Sequence, residues 1–363
     1  MALKKPLVIK IGSAVLTDGS GNIDEAVMAR LVDDMATIIA RRQPICVVSS
    51  GAIGAGRQVL GSARLPRKLK KRQALAAIGQ VRLMGIYQRE FARHGLSVGQ
   101  ILLSHEDLAH RRSFLNTRST IEQLFELGVI PIVNENDTVS TEEIQFGDND
   151  RLSVLMANVV GADRAIFLST TPGLLDLGGS GALISEVQSI DAQILGMARG
   201  GNSVGSGGMG SKLLSIDALN RAGKTAWLMH GKEPGILRRW LEGENVGTCF
   251  LAQVLKKSSR EQWMEQHLHP RGHLVVDEGA LEALKNAASL LSVGILEVRG
   301  RFDAGQLVSV ECKGEEFARG MTRFSHEQIK SILGKTKTDM AKILGVKTSD
   351  CVIHRNDLVL LDP

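Results

Sequence analysis

The chain has 363 residues and a mass of 39.2 kDa, with 43% hydrophobic residues, 23% charged residues and a formal net charge of +5. The length predicts two domains, and the balance excludes a predominantly disordered or collagen-like chain. The four cysteines, Cys46, Cys249, Cys312 and Cys351, are widely spaced with no CxxC pair, which excludes a disulfide or zinc framework and reads as reduced thiols of a cytoplasmic protein.

The first apolar run is Leu7–Ile11. Lys10 interrupts it and no A-x-A-like site follows, so it is read as a strand and not as a signal peptide. No apolar run reaches the roughly 18 residues of a membrane span. A lysine inside an apolar strand is costly unless its ammonium meets an anion. Gly12 and Ser13 would leave backbone N–H groups open beside Lys10, which suggests a phosphate seat. The plain alternative is a lysine reaching past the strand end to solvent.

Leu31, Val32, Met35, Ile38 and Ile39 fall on one helical face. Ile45–Ser49 is the next strand, running into Ser49-Ser50-Gly51-Ala52-Ile53-Gly54-Ala55-Gly56. Small residues there admit close approach of a ligand, or close packing of elements. Then come a long helix over Leu69–Phe91, a strand Val98–Leu103, a helix Phe114–Leu127 and a strand Val129–Val133. That strand leads into Asn134-Glu135-Asn136-Asp137, and Gly147-Asp148-Asn149-Asp150 opens a helix over Arg151–Val160. Singly, Asp148 would serve as a helix cap and Asn134 as a turn former. Together, the two polar loops read as a binding site. A strand Ala165–Leu168, a helix Ser211–Arg221 and a strand Ala226–Met229 follow. Gly205-Ser206-Gly207-Gly208-Met209-Gly210-Ser211-Lys212 lacks the Gly-Lys-Ser/Thr order of a P-loop. Its open N–H groups and lysine still suit a polyphosphate. The alternation predicts an α/β fold, a mostly parallel open sheet sandwiched by helices, with ligands at the carboxyl ends of strands.

The pattern changes near residue 255. Residues 256–272 read as a polar linker, and His267, His269 and His273 as exposed residues of it in preference to a metal site. Residues 273–363 read as a small β-rich domain, with strands Leu274–Val276, Gly294–Arg299, Leu307–Glu311, Cys312–Gly320 and Val352–Leu361 and helices Ala280–Ala288 and His326–Leu333. This part holds 12 Lys and Arg against 13 Asp and Glu, a charge of −1. The positive excess lies earlier, around Arg64, Arg67, Lys68, Lys70, Lys71 and Arg72, read as a solvated loop leading into a helix. With 13 aromatics in all (9 Phe, 3 Trp, 1 Tyr), the chain is poorly equipped to stack bases, which argues against RNA as its main partner.

The motifs VIKIGS, SSGAIGAGR, NENDTVSTEEIQFGDND and GSGGMGSK, in this order, resemble the amino-acid kinase family, and within it the glutamate 5-kinase branch. The segment from His273 through Arg319-Gly320 resembles the PUA domain fused to many of its bacterial members. NEND followed by GDND separates this branch from acetylglutamate, aspartate, carbamate and uridylate kinases. The resemblance implies the amino-acid kinase fold over residues 1–255 and a PUA-like domain over 273–363. It implies ATP-dependent phosphorylation of the γ-carboxylate of L-glutamate as the first step of proline synthesis, with ATP and Mg²⁺, the metal carried by the nucleotide. It also implies inhibition by proline, a homo-oligomer (dimer or tetramer) and a downstream glutamyl-phosphate reductase. It carries catalytic roles onto Lys10, Lys212 and Asp150. Substrate-binding roles fall on Ser50, Gly51, Asp137, Asn149 and Asn134. ATP-binding roles fall on Lys10, Gly12, Ser169, Thr170, Ser206, Gly207, Gly208, Met209 and Lys212. One stretch departs from the pattern: Ser169-Thr170-Thr171-Pro172 stands where members carry Thr-Asp, so an acidic residue at the nucleotide is absent. The readings left open are another carboxylate acceptor, and an RNA-binding or proline-sensing regulatory protein.

Overall fold

The computed structural model describes residues 4–61, 68–104, 107–108, 111–139, 148–177, 179–197, 208–253, 270–286, 288–335, 339–340, 343 and 351–361, with residues 111, 148 and 356 in backbone only. The chain divides into two compact units, Met1–His105 with Leu115–Lys256, and Glu106–Phe114 with Lys257–Pro363.

In the first unit, β1 (Leu7–Ile11) is buried along its whole length and pairs in parallel with strands on both sides. That is why its sequence is a nearly continuous apolar run. Helix α1 (Glu25–Ala40) starts at Asp24, whose carboxylate accepts from Val27 N–H at 3.0 Å, a normal N-cap. It is followed by β2 (Ile45–Ser49), α2 (Ala52–Val59), α3 (Leu69–Ala92), β3 (Ser97–Leu103), α4 (Arg111–Glu126) and β4 (Val129–Glu135). The unit continues with α5 (Asp148–Val159), β5 (Arg164–Ser169), β6 (Glu186–Val187), α6 (Met209–Arg221), β7 (Thr225–His230), α7 (Ile236–Leu241) and β8 (Thr248–Phe250). The sheet order is β3-β4-β2-β1-β5-β7-β8-β6, and within it only the β7/β8 pair is antiparallel. The predicted parallel α/β sheet is therefore present. Chain order reverses around β1, and this places a crevice at its carboxyl end.

Strands β6 and β8 and the hairpin Leu174–Leu175/Leu183–Ile184 carry no readable sequence period, because two or three residues are too few. Buried Thr248 holds this region together: its Oγ1 accepts from Leu174 N–H at 2.8 Å and donates to Ile184 O at 2.6 Å.

The glycines after β2 divide between two physical roles. Gly51 has φ +99° and opens α2 in the left-handed region, where side chains are strained. Gly56 serves helix–helix packing. A Cβ on it would lie 2.0 Å from Leu75 O, and a Cβ on Gly79 of α3 would lie 1.8 Å from Ala52 O. Helix α3 is thus pressed directly onto the first turn of α2.

The second unit is a five-stranded sheet in the order β10-β9-β11-β12-β13, built from β9 (Gly272–Val276), β10 (Ile295–Gly300), β11 (Leu307–Cys312), β12 (Glu315–Met321) and β13 (Leu358–Leu360). It has helices α8 (Glu278–Lys285) and α9 (His326–Ile332), the latter started by a Ser325/Gln328 capping box. Three expectations need correcting. The strand expected over Cys312–Gly320 is divided: Cys312 ends β11, and Lys313 and Gly314, both at positive φ, form the turn into β12. Of Val352–Leu361, only Leu358–Leu360 is a strand. His273 belongs to β9 and not to a linker: its Nδ1 lies 2.6 Å from Glu311 Oε1 and 2.7 Å from Ser309 Oγ. His267 and His269 lie outside the described residues. No helix among the described residues is long and apolar enough to cross a membrane. Cys46, Cys312 and Cys351 are buried free thiols and Cys249 is a half-buried one.

Two stability predictions follow from this packing. Gly79→Ala should destabilise the protein by about 1–3 kcal/mol in urea unfolding, because the added methyl has no space. Buried Lys224 donates to Ala162 O at 2.7 Å, and burial pushes its pKa down to about 8. From about pH 8 to the ordinary lysine range the unfolded chain holds this proton more tightly. The site's contribution to stability should therefore rise across that window and be flat below it. Unfolding measured against pH should lose that rise in Lys224→Met.

Candidate active site

Alternation along β1 sends Leu7, Ile9 and Ile11 into the main apolar cluster and leaves Lys10 on the opposite face. There Lys10, 5% exposed, places Nζ 2.5 Å from Oδ1 of Asp150, which is 1% exposed. The contact is an ion pair by distance and is not aligned as a hydrogen bond. Asp150 sits in the first turn of α5, where the helix dipole favours a carboxylate. Lys212, in the first turn of α6, brings Nζ to 3.6 Å from the second oxygen, Oδ2, and Ser211 Oγ donates to the same oxygen at 3.2 Å. Burial holds the Lys212 ammonium below its ordinary pKa. The charge of Asp150 opposes that shift and the charge of Lys10 adds to it. Two buried ammonium groups face one carboxylate at the end of β1. Such a site favours a further anion.

The predicted open amide at Gly12 is corrected. Its N–H donates to Leu168 O at 3.2 Å. What Gly12 supplies is room: a Cβ there would lie 3.7 Å from Lys10 Nζ and 3.3 Å from Leu168 O.

A neutral amide network lies beside the charged cluster. Asn149 Nδ2 donates to Ser50 Oγ and to Asn134 Oδ1, each at 3.0 Å. Asn134 is not a turn residue as its type suggests: it is buried inside β4, and its Nδ2 donates to Gln80 Oε1 at 2.9 Å. The structure therefore brings Lys10, Asp150 and Lys212 together, and Ser50, Asn134 and Asn149 together. Gly51 lies between Ser50 and α2, and Asp137 is half-buried in the turn after β4. Ser169 ends β5, where its carbonyl accepts from Gly231 N–H at 2.8 Å, and Thr170 beyond it is exposed. Gly208 and Met209 open α6. Ser206 and Gly207 lie outside the described residues. Sequence reasoning missed Gln80, and also Tyr87, whose hydroxyl lies 2.8 Å from Ser49 Oγ. Their only signal was a polar atom on the helical stripe 76-80-83-87 that α3 buries.

Among the described residues no group of three or more His, Cys, Asp or Glu is placed to hold a metal ion. Asp150, the buried carboxylate here, is already engaged by two lysines.

The amino acid kinase family model matches residues 5–229, and the PUA domain model matches residues 272–344. This chain belongs to the amino acid kinase family. Curated relatives match over nearly the whole length. One named glutamate 5-kinase from Pelobacter propionicus is 42% identical, covering 98% of this chain and 98% of its own. One of the same name from Azoarcus sp. is 42% identical, covering 98% and 97%. Another from Burkholderia multivorans is 39% identical, covering 99% of each. The N-acetylglutamate synthase structure from Neisseria gonorrhoeae, complexed with coenzyme A and N-acetyl-glutamate, superposes with a TM-score of 0.51 at 14% identity. It covers 69% of this chain, which spans 60% of that one. At that identity the likeness concerns the fold alone. The amino acid kinase sheet thus carries both side-chain groups at the carboxyl ends of β1, β2 and β4.

Asp150→Asn should leave two buried ammonium groups without their counter-charge. A loss of about 3–5 kcal/mol is expected in urea unfolding. Part of it should return in sulfate, and part as pH rises and Lys212, held below its ordinary pKa, loses its proton. An unchanged midpoint in both conditions would contradict the ion cluster.

Proposed function

We propose that this protein transfers the γ-phosphoryl group of ATP to the γ-carboxylate of L-glutamate, giving glutamyl 5-phosphate for proline synthesis. The observation that carries this reading is the convergence of Lys10 and Lys212 on Asp150, in a chain whose full-length relatives are named glutamate 5-kinases.

A carboxylate is already an anionic nucleophile, so the reaction needs no general base. A γ-carboxylate oxygen attacks the γ-phosphorus. The bond from phosphorus to the β–γ bridging oxygen breaks, and its electron pair leaves with ADP. The difficulty is electrostatic: an anion must approach a triphosphate, and charge spreads over the phosphoryl oxygens in transit. Lys10 and Lys212 supply positive charge there, and Asp150 holds both ammonium groups in place, so little reorganises during reaction. Ser50, Asn134, Asn149 and Asp137 hold the amino acid. Gly12, Ser169, Thr170 and the segment of Ser206, Gly207, Gly208 and Met209 hold the nucleotide. Magnesium would offset phosphate charge as part of the nucleotide. Among the described residues no group of three or more His, Cys, Asp or Glu is placed to cage it. Proline is proposed as the feedback inhibitor. Acyl phosphates hydrolyse readily, so a downstream reductase that consumes the product at once suits this chemistry.

The assay is acyl-phosphate trapping with Mg-ATP, L-glutamate and hydroxylamine. Glutamate-dependent hydroxamate is expected, suppressed by proline. Turnover should fall by at least about 10²–10³-fold in Lys10→Ala or Lys212→Ala. Near-normal turnover in either variant would sink the assignment, and product with aspartate or acetylglutamate instead would identify another acceptor. Because Lys212 titrates below the ordinary lysine range, the alkaline decline of kcat/KM should begin below that range.

A further inference from the structure

We propose that Gln80 is a specificity-determining residue whose Nε2 donates to the α-carboxylate of the amino-acid substrate. This rests on the kinase reading above.

The amide polarities at the site follow from one backbone group. Glu135 N–H can only donate, and it lies 2.9 Å from Asn134 Oδ1. The other end of the Asn134 amide is therefore its NH₂ group, which must donate, and it does so to Gln80 Oε1 at 2.9 Å. The amide of Gln80 is thereby fixed with Nε2 on its free side. That atom is fully buried and has no hydrogen-bond partner among the described residues, on a side chain only 8% exposed. The same reasoning applies to Asn149: its Nδ2 serves Asn134 Oδ1 and Ser50 Oγ, so its Oδ1 is left buried and unpaired. The network thus ends in a donor at Gln80 and an acceptor at Asn149.

Buried polar groups left unpaired are costly, and a ligand that pairs with them binds against that cost. An α-amino acid offers the matching set, a carboxylate to accept and an ammonium to donate. The order of the network assigns the ends. From the lysine cluster it runs through Asp150, its neighbour Asn149, then Asn134 and finally Gln80. The reacting carboxylate belongs at the lysines, so the far end meets the α-carboxylate. The backbone that carries Gln80 has little room to shift, because at Gly79 beside it even a Cβ would lie 1.8 Å from Ala52 O.

The test measures glutamate and 4-aminobutyrate binding by calorimetry, together with steady-state kinetics, for wild type, Gln80→Met and Gln80→Glu, with melting curves to establish folding. 4-Aminobutyrate lacks the α-carboxylate. Gln80→Met should raise Kd and KM for glutamate roughly 10- to 100-fold. It should hold KM for ATP within about twofold, and erase the wild-type preference for glutamate over 4-aminobutyrate. Gln80→Glu keeps an oxygen for Asn134 but sets a second oxygen where Nε2 was, so it should weaken glutamate binding at least as much. If Gln80 only braces Asn134, Gln80→Glu binds glutamate normally and the preference persists, which overturns the proposal. A wild-type protein that binds the two ligands equally overturns it without any variant. Loss of glutamate binding in the variants, with no hydroxamate from wild type, would uphold Gln80 and reject the kinase reading instead.

Discussion

One carboxylate held between two ammonium groups is the constraint on which the first unit depends. Asp150 is 1% exposed and Lys10 5% exposed, and a charge buried to that extent is costly without a partner. Their pairing requires the end of β1 and the first turns of α5 and α6 to meet at one point. These three segments are about 140 and 60 residues apart in the chain, and only the parallel sheet with its crossover helices brings them together. The cluster sets two ammonium groups against a single carboxylate. Positive charge concentrated in this way suits an anion, as the proposed reaction requires.

The neutral network next to it works by a different physical rule. Its hydrogen bonds are directional, and the orientation of each amide fixes the next, beginning from the backbone N–H of Glu135. A charge cluster tolerates a few tenths of an ångström. An amide relay tolerates little, because a flipped amide would set donor against donor. This explains why rigid elements carry it: Asn134 lies within a strand, Asn149 in the first turn of a helix, and Gln80 on a helix with no slack against its neighbour. Phosphoryl transfer between two anions needs both kinds of site, charge for the phosphate and directional bonds for the acceptor.

Much of this was legible in the residues. Burial on both faces of a parallel sheet writes itself as apolar runs, and helices packed on that sheet write a 3.6-residue period. Most of the strand and helix order of the first unit therefore follows from local pattern, the short helices α2 and α7 being exceptions. Lys10 stood out for the same reason, since a charge inside an apolar run either finds a partner or reaches past the strand end to solvent, and the structure gives it Asp150. The short strands β6 and β8 were not legible, because two or three residues carry no period, and β13 was expected at too great a length. They exist through pairings set elsewhere, such as the hold of Thr248 on the Leu174 hairpin.

The sequence by itself determined the α/β class, the β-rich C-terminal part and the polar loops from which the candidate site is built. Tertiary structure alone decided which partner each polar group takes. It gave Lys10 to Asp150, bonded the Gly12 amide to Leu168, moved Asn134 from a turn into a strand and put Gln80 at the end of its network. The physical reason is range. Local propensity and hydrophobic period act over a few residues, whereas ion pairing and amide polarity here join residues 15 to 140 positions apart, which only the closed packing of the sheet brings within reach.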